Sequence, residues 1–213
     1  MFAVALAMVT GCSPTTNSGP SYNGRTLSEW LVEYEAAGGT NGIRETNAII
    51  AIRAIGSDAV PFLVKWINVD YTPPERVVDF MVWGYEPPRI KKGNRAMRAF
   101  QILGTNAAQA IPGLTNIILQ DKRYGAAIDA RYGLIYIGPP GVTALGMLAT
   151  NRTTPHRFET VDILRASIRT EAGEVAKPVF TNCLSDPNPN VRFVAKEALA
   201  DIAEEDARKA KAK

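Results

Sequence analysis

Five stretches of this chain end alike and recur at nearly even intervals. They span 48–55, 96–103, 130–137, 161–168 and 195–202, and their closing aliphatic residues, Ile55, Leu103, Ile137, Ile168 and Ile202, lie 48, 34, 31 and 34 residues apart. Seven positions before each close stands Ala48, Ala96, Ala130, Val161 or Ala195, and four before it Ala51, Ala99, Gly133, Leu164 or Ala198. Three before it stands Ile52, Phe100, Leu134, Arg165 or Leu199. Positions three, four and seven apart share one face of a helix. Small residues on that face let neighbouring helices approach, and large ones fill the space between them. The stretch closing at Ile168 departs most, with Leu164 where a small residue belongs and Arg165 where an apolar one belongs. A period near 33 residues marks a stack of helix pairs, in which no pair buries its apolar face without a neighbour. From Leu27 onward alternation of β-branched residues is almost absent, which leaves no room for a large sheet.

A second kind of segment follows each of the first four closes. These segments read Ala59-Val60-Pro61-Phe62-Leu63, Ala110-Ile111-Pro112-Gly113-Leu114, Val142-Thr143-Ala144-Leu145 and Ala176-Lys177-Pro178-Val179-Phe180. Gly56 and Gly104 are placed to stop the preceding helix, and Ser57 or Asp58 to cap the next. Pro61 is expected in a first helical turn, where its missing N–H costs little. Pro112 is expected deeper, kinking its helix. Gly138-Pro139-Pro140-Gly141 reads as a turn between two helix pairs, since it lacks the glycine spacing and Lys-Ser/Thr of a phosphate loop.

The last unit, Asp186-Pro187-Asn188-Pro189-Asn190-Val191-Arg192-Phe193-Val194-Ala195-Lys196-Glu197-Ala198-Leu199, resembles a HEAT repeat. That family has an outer helix with a proline near its start, a turn often carrying Asp-Pro, then Val-Arg and an Ala-rich inner helix. The resemblance covers roughly 27–205 and implies an all-α fold, a right-handed α-solenoid of about five helix pairs: 27–55, 58–103, 106–138, 140–168 and 171–203. The opening Tyr22-Asn23-Gly24-Arg25-Thr26-Leu27-Ser28-Glu29-Trp30-Leu31 is similar to the start of secreted or lipid-anchored HEAT proteins of environmental bacteria. It implies a first helix that caps the solenoid, with Trp30 covering the open end of the core.

Residues 2–9 form an apolar run of the length of a signal-peptide core, and no stretch of about 20 apolar residues spans a membrane. Val9-Thr10-Gly11-Cys12 resembles a bacterial lipobox. The resemblance implies cleavage after Gly11 and acylation of Cys12. The signal region 1–11 departs from the pattern by lacking Lys or Arg, which points to a start further upstream. Residues 12–24 read as a polar linker, 25–205 as the solenoid and 206–213 as a basic tail. The expected location is therefore outside the cytoplasm, at a bacterial membrane held through lipid on Cys12.

An insertion at 71–93 lengthens the first interval. It carries four aromatic residues and two Pro-Pro pairs. Phe80, Met81 and Trp83 either fold back over the solenoid or belong to a partner-binding loop, since long insertions in repeat proteins often carry function.

Convergent chemistry is scarce. The chain holds one His and two Cys, too few for a Cys/His zinc site or a disulfide framework. His156 lacks a nearby Cys, Cys183 lies in an apolar context, and Glu29 and Glu33 share a solvated helix face. The expectation is no catalytic residue, no metal and no cofactor. The net charge of +3 is mild, and the inner-helix arginines Arg44, Arg53, Arg98, Arg131, Arg165 and Arg192 are interleaved with acids, so no nucleic-acid partner is expected. The function expected is a non-enzymatic scaffold of the cell envelope that binds a protein or peptide partner. Trp83, Tyr85, Tyr132 and Tyr136 are its candidate contact residues, because aromatic and Arg side chains dominate binding hot spots. The alternatives are an enzyme subunit like the HEAT-type bilin lyases, or a HEAT-like nucleic-acid-binding protein.

Overall fold

A computed structural model describes residues 19–38, 42–68 and 88–211, with backbone alone for 88–90. The lipobox with Cys12, and the insertion residues Trp83 and Tyr85, lie outside the described residues.

The chain enters through a small hairpin. Strands β1 (Ser21–Tyr22) and β2 (Arg25–Thr26) pair antiparallel, Tyr22 opposite Arg25. Asn23 and Gly24 make the two-residue turn with φ of 49° and 74°, the left-handed pair that Asn-Gly favours in hairpins. Residues 19–24, expected within the polar linker, thus fold onto the body. The Trp30 indole N–H donates to the Tyr22 carbonyl at 3.0 Å, and the Arg25 guanidinium lies 4.2 Å over the indole ring. Trp30 is half-buried against the core, as a residue closing the end of a stack should be.

The helices are α1 (Leu27–Ala36), α2 (Ile43–Ile55), α3 (Val60–Ile67), α4 (Pro88–Leu103), α5 (Ile111–Gln120), α6 (Tyr124–Ile137), α7 (Pro139–Thr150), α8 (Arg157–Leu164), α9 (Gly173–Cys183) and α10 (Pro189–Lys211). Successive helices pack as the expected five pairs: α1 on α2, α3 on α4, α5 on α6, α7 on α8 and α9 on α10. The pairs stack into an α-helical repeat solenoid. The second helices α2, α4, α6, α8 and α10 run side by side as one layer, each touching the next. In the other layer, close packing between whole helices is concentrated at α5–α7 and α7–α9. The layer whose helices touch without a break is taken as the inner one.

The repeating columns form the core. Ala48, Ala96, Ala130, Val161 and Ala195 are fully buried, as are Ala51, Ala99, Leu164, Ala198, Ile52, Phe100 and Leu134. Gly133 shows why a small residue stands in its column. A Cβ there would meet Leu114 at 3.2 Å, Phe100 at 3.5 Å and Ile67 at 3.6 Å, so α3, α4 and α5, from two adjacent units, converge on it. The irregular fourth unit is also explained. Its α-helix ends at Leu164 and tightens into a 3-10 turn over Arg165–Ser167. That turns Arg165 out of the core position to an ion pair with Asp201 at 2.6 Å.

Two local expectations change. Ser57 and Asp58 do not cap α3. They sit in a 3-10 turn (Gly56–Ala59) that leads straight into the helix, and no side chain caps it. Pro112 falls in the first turn of α5, as Pro61 does in α3, because the 3-10 segment Gly104–Ala110 takes up the residues before it. Pro178 is the proline inside a helix, α9. Gly56, with φ of 59°, breaks the helical run 43–67. By length and composition alone that run would suffice to cross a membrane, at a mean hydropathy of 1.4. Here its two halves are separate members of adjacent pairs.

Candidate functional site

Helix α6 lies at the centre of the inner layer, packed on α4, α5, α7 and α8. Ten of its residues are buried. The four that are not, Tyr124, Ile128, Tyr132 and Tyr136, are spaced by four and so form one stripe along the helix. Tyr124 is exposed at 42%, while Ile128, Tyr132 and Tyr136 are half-buried with one side against the core. Tyr132 and Tyr136 therefore share a face, with their rings shared between core and solvent. On other inner-layer helices, Ile50 of α2 is exposed at 52% and Phe193 of α10 at 63%.

Tyr136 also lines a groove of about 500 Å³ at the C-terminal ends of α2, α4 and α6. Arg53, Gln101, Ile102, Thr105, Asn106 and Glu171 form other parts of its wall. The Arg53 Nε–H donates to the Ile102 carbonyl at 3.3 Å, and an Arg98 Nη1–H donates to Gln101 Oε1 at 3.3 Å. The other inner-layer arginines are engaged elsewhere. Arg44 pairs with Glu33 at 3.3 Å, and Arg192 donates to the carbonyls of Asp186 and Pro187. Arg131 is fully buried. Its Nε–H donates to Thr160 Oγ1 at 2.8 Å and its Nη2 to the Pro155 carbonyl at 2.9 Å, which staples α6 to the start of α8. Burial pushes its pKa down, opposed by the nearby Glu159 and Asp121 carboxylates. A basic stripe along the inner layer is therefore broken in its middle.

His156 sits beside this staple as the N-cap of α8, with φ of 47°. Its Nε2 lies 3.2 Å from Asp121 and its Nδ1 3.5 Å from Glu159, and its ring meets Tyr124 edge-on at 5.1 Å. The carboxylates approach opposite sides of the imidazole, so they do not converge on a common point. Among the described residues no three His, Cys, Asp or Glu side chains are arranged to hold a metal ion. Cys183 is buried, and burial pushes its thiol pKa up, away from the thiolate that reactivity requires. Glu29 closes a capping box with Thr26, and Glu33 faces Arg25 and Arg44. The expected pair of solvated carboxylates is thus tied into local structure.

The stripe on α6 could be read from the spacing of Tyr132 and Tyr136. The bond from Arg53 to the Ile102 carbonyl could not, because it joins different units.

Residues 177–205, from within α9 to within α10, match the HEAT repeat family model. No curated protein and no solved structure matches the chain.

Proposed function

We propose that this chain is a non-catalytic protein-interaction scaffold that binds its partner on the inner-layer face. A HEAT repeat at 177–205 supports an interaction scaffold in general terms. The observation that carries the reading for this chain is the α6 stripe. A helix buried on every other side turns three tyrosines and an isoleucine to one surface. Tyrosine offers a large contact area at low entropic cost and a hydroxyl for a polar partner. The rigid walls of stacked helices add little ordering cost on binding.

The test is a photo-crosslinking amino acid placed at Tyr132, with the exposed outer-layer Met147 as control. Covalent adducts from position 132 and not from 147, in cells of the source organism, support the reading. Equal yields from both positions, or none, defeat it.

We further propose that the scaffold works at the cell envelope, held by lipid on Cys12 and reaching its partner across the residues that follow. The motive is Val9-Thr10-Gly11-Cys12 after an apolar run. The native protein should partition into detergent, and Cys12→Ser should release it. A native mass that retains residues 1–11 without an acyl chain refutes the anchor. The insertion residues Trp83 and Tyr85 stay as secondary candidates for partner contact. Deletion of 77–86 across a short Gly/Ser bridge tests them through loss of the adduct at 132.

A further inference from the structure

We propose that the α2–α4–α6 part of the inner face takes an extended, carboxylate-rich peptide segment of the partner protein. Arg53 and Arg98 hold its carboxylates, and Tyr132 and Tyr136 pack its apolar residues. This rests on the scaffold reading above and adds the chemistry of the partner.

The first argument is convergence of free charge. Arg53 on α2 and Arg98 on α4 are both exposed, and each leans on one of two consecutive residues, Gln101 and Ile102. Arg53 thus reaches across the line between two repeats to the α4 backbone, and Arg98 bonds the neighbouring residue of the same helix. Neither has a carboxylate within ion-pair distance among the described residues, although five N–H donors per guanidinium leave most of each fork unused. The second argument is local composition. Helix α4 contains no acidic residue, and the one on α2, Glu45, is buried. Nothing on these two helices competes for the arginines or repels an anionic ligand. The third argument is polarity along the face. Beyond α6 the same face carries Glu159, Asp162, Glu197 and Asp201, of which Arg165 pairs with Asp162 and Asp201, and Glu171 stands on the far wall of the groove. A carboxylate-rich segment is attracted at the α2–α4 end and repelled at the α8–α10 end, which fixes its position and direction. A long phosphate backbone would meet that acidic end, so the surface fits a peptide better than a nucleic acid. The arginines are exposed and the tyrosines half-buried, and they spread over three helices, so an extended chain, and not a small anion, reaches them together. Charge-assisted bonds to a guanidinium are strong and planar, and Arg and Tyr are the residues that anchor interfaces.

The experiment is selection of a random dodecapeptide library on the full chain, followed by titration of the most enriched peptide. The expected result is enrichment of Asp and Glu beside apolar residues, with affinity that falls as salt rises. The double variant Arg53→Gln/Arg98→Gln, its helical signal unchanged because both side chains are exposed, should weaken that peptide at least about tenfold. Arg98→Glu should turn the selection toward Lys and Arg. Enrichment of neutral or basic peptides whose binding is lost in Tyr132→Ala overturns the acidic-partner proposal and leaves the scaffold reading standing. Acidic peptides that bind the double variant undiminished overturn it as well. Displacement of the selected peptide by a mixed-sequence single-stranded oligonucleotide at equal concentration replaces the peptide with a nucleic acid. No enrichment over bare support removes both the proposal and the scaffold reading.

Discussion

Gly141 offers a substitution whose two opposing effects differ in sign. It is the third residue of α7 and is buried where that helix leaves the turn after α6. In a helix, replacing Gly by Ala gains about 1 kcal/mol from propensity and from the narrower unfolded ensemble. The local geometry opposes that gain. A Cβ at Gly141 would overlap the Leu134 carbonyl oxygen, lie 2.9 Å from its carbonyl carbon and 3.1 Å from the Ile137 Cβ. Carbon atoms rest at about 3.5–4.0 Å from carbon and about 3.3 Å from oxygen, so the oxygen overlap sets the shift and α6 and α7 must separate by about 1 Å or more. The obstacle is backbone, and α6 is held from other sides by α4, α5 and α8. Overpacking of this kind costs about 1–3 kcal/mol and occasionally more. With an unyielding backbone the upper end applies, which leaves a net loss of about 2 kcal/mol. For a chain of this size that lowers the melting temperature by about 4–8 °C. Gly146, on the same helix, is the comparison. A Cβ there meets Val179 Cγ2 at 2.7 Å, a side-chain tip that can shift. Gly146→Ala should therefore stay within about 1 kcal/mol of the parent. Thermal unfolding followed by far-ultraviolet circular dichroism decides the matter. If Gly141→Ala melts at or above the parent, the close approach of α7 to the end of α6 is wrong.

The remaining predictions concern the core, a buried ion pair and a thiol. Ala198→Asp places an unpaired carboxylate at a fully buried position of α10 and should cost about 3–5 kcal/mol; an unchanged urea midpoint would show that this column is not in the core. Asp186 accepts bonds from both Nη atoms of Arg157, with the two side chains only 8% and 11% exposed. Those bonds hold its pKa below the usual carboxylate range. A depressed folded pKa means that its contribution is complete above the unfolded value near 3.9 and is lost as pH falls through the folded value. Asp186→Asn should therefore cost about 2 kcal/mol at neutral pH and flatten the acid limb of the stability curve; a parallel pH profile for variant and parent would contradict this. Cys183 should resist iodoacetamide in the native state of a Cys12→Ser chain and react on unfolding, and rapid native labelling would contradict its burial.

The sequence by itself determined the helix pairs, their number and the faces they bury. Residues at spacings of three, four and seven must lie together on a helix, and the column through Ala51, Ala99, Gly133 and Ala198 holds the small residues that a close helix crossing admits, with Leu164 as its one exception. Proline and glycine placed the ends of elements approximately, because they act through their own φ and N–H. Their exact effect depended on neighbours. The 3-10 segment Gly104–Ala110 brings Pro112 to the first turn of α5, and two-residue strands at Tyr22 and Arg25 are too short to show alternation. The binding surface belongs to the tertiary structure. Six inner-layer arginines look equivalent along the chain. Folding buries Arg131 against Thr160 and Pro155, pairs Arg165 with Asp201 and Arg44 with Glu33, and turns Arg192 onto the carbonyls before α10. Arg53 and Arg98 remain, without a carboxylate partner among the described residues, bonded to Ile102 and Gln101. Most of these partners come from other helices, a distance that local periodicity does not encode. Which charges are consumed and which remain for a ligand was therefore decided only when the pairs stacked.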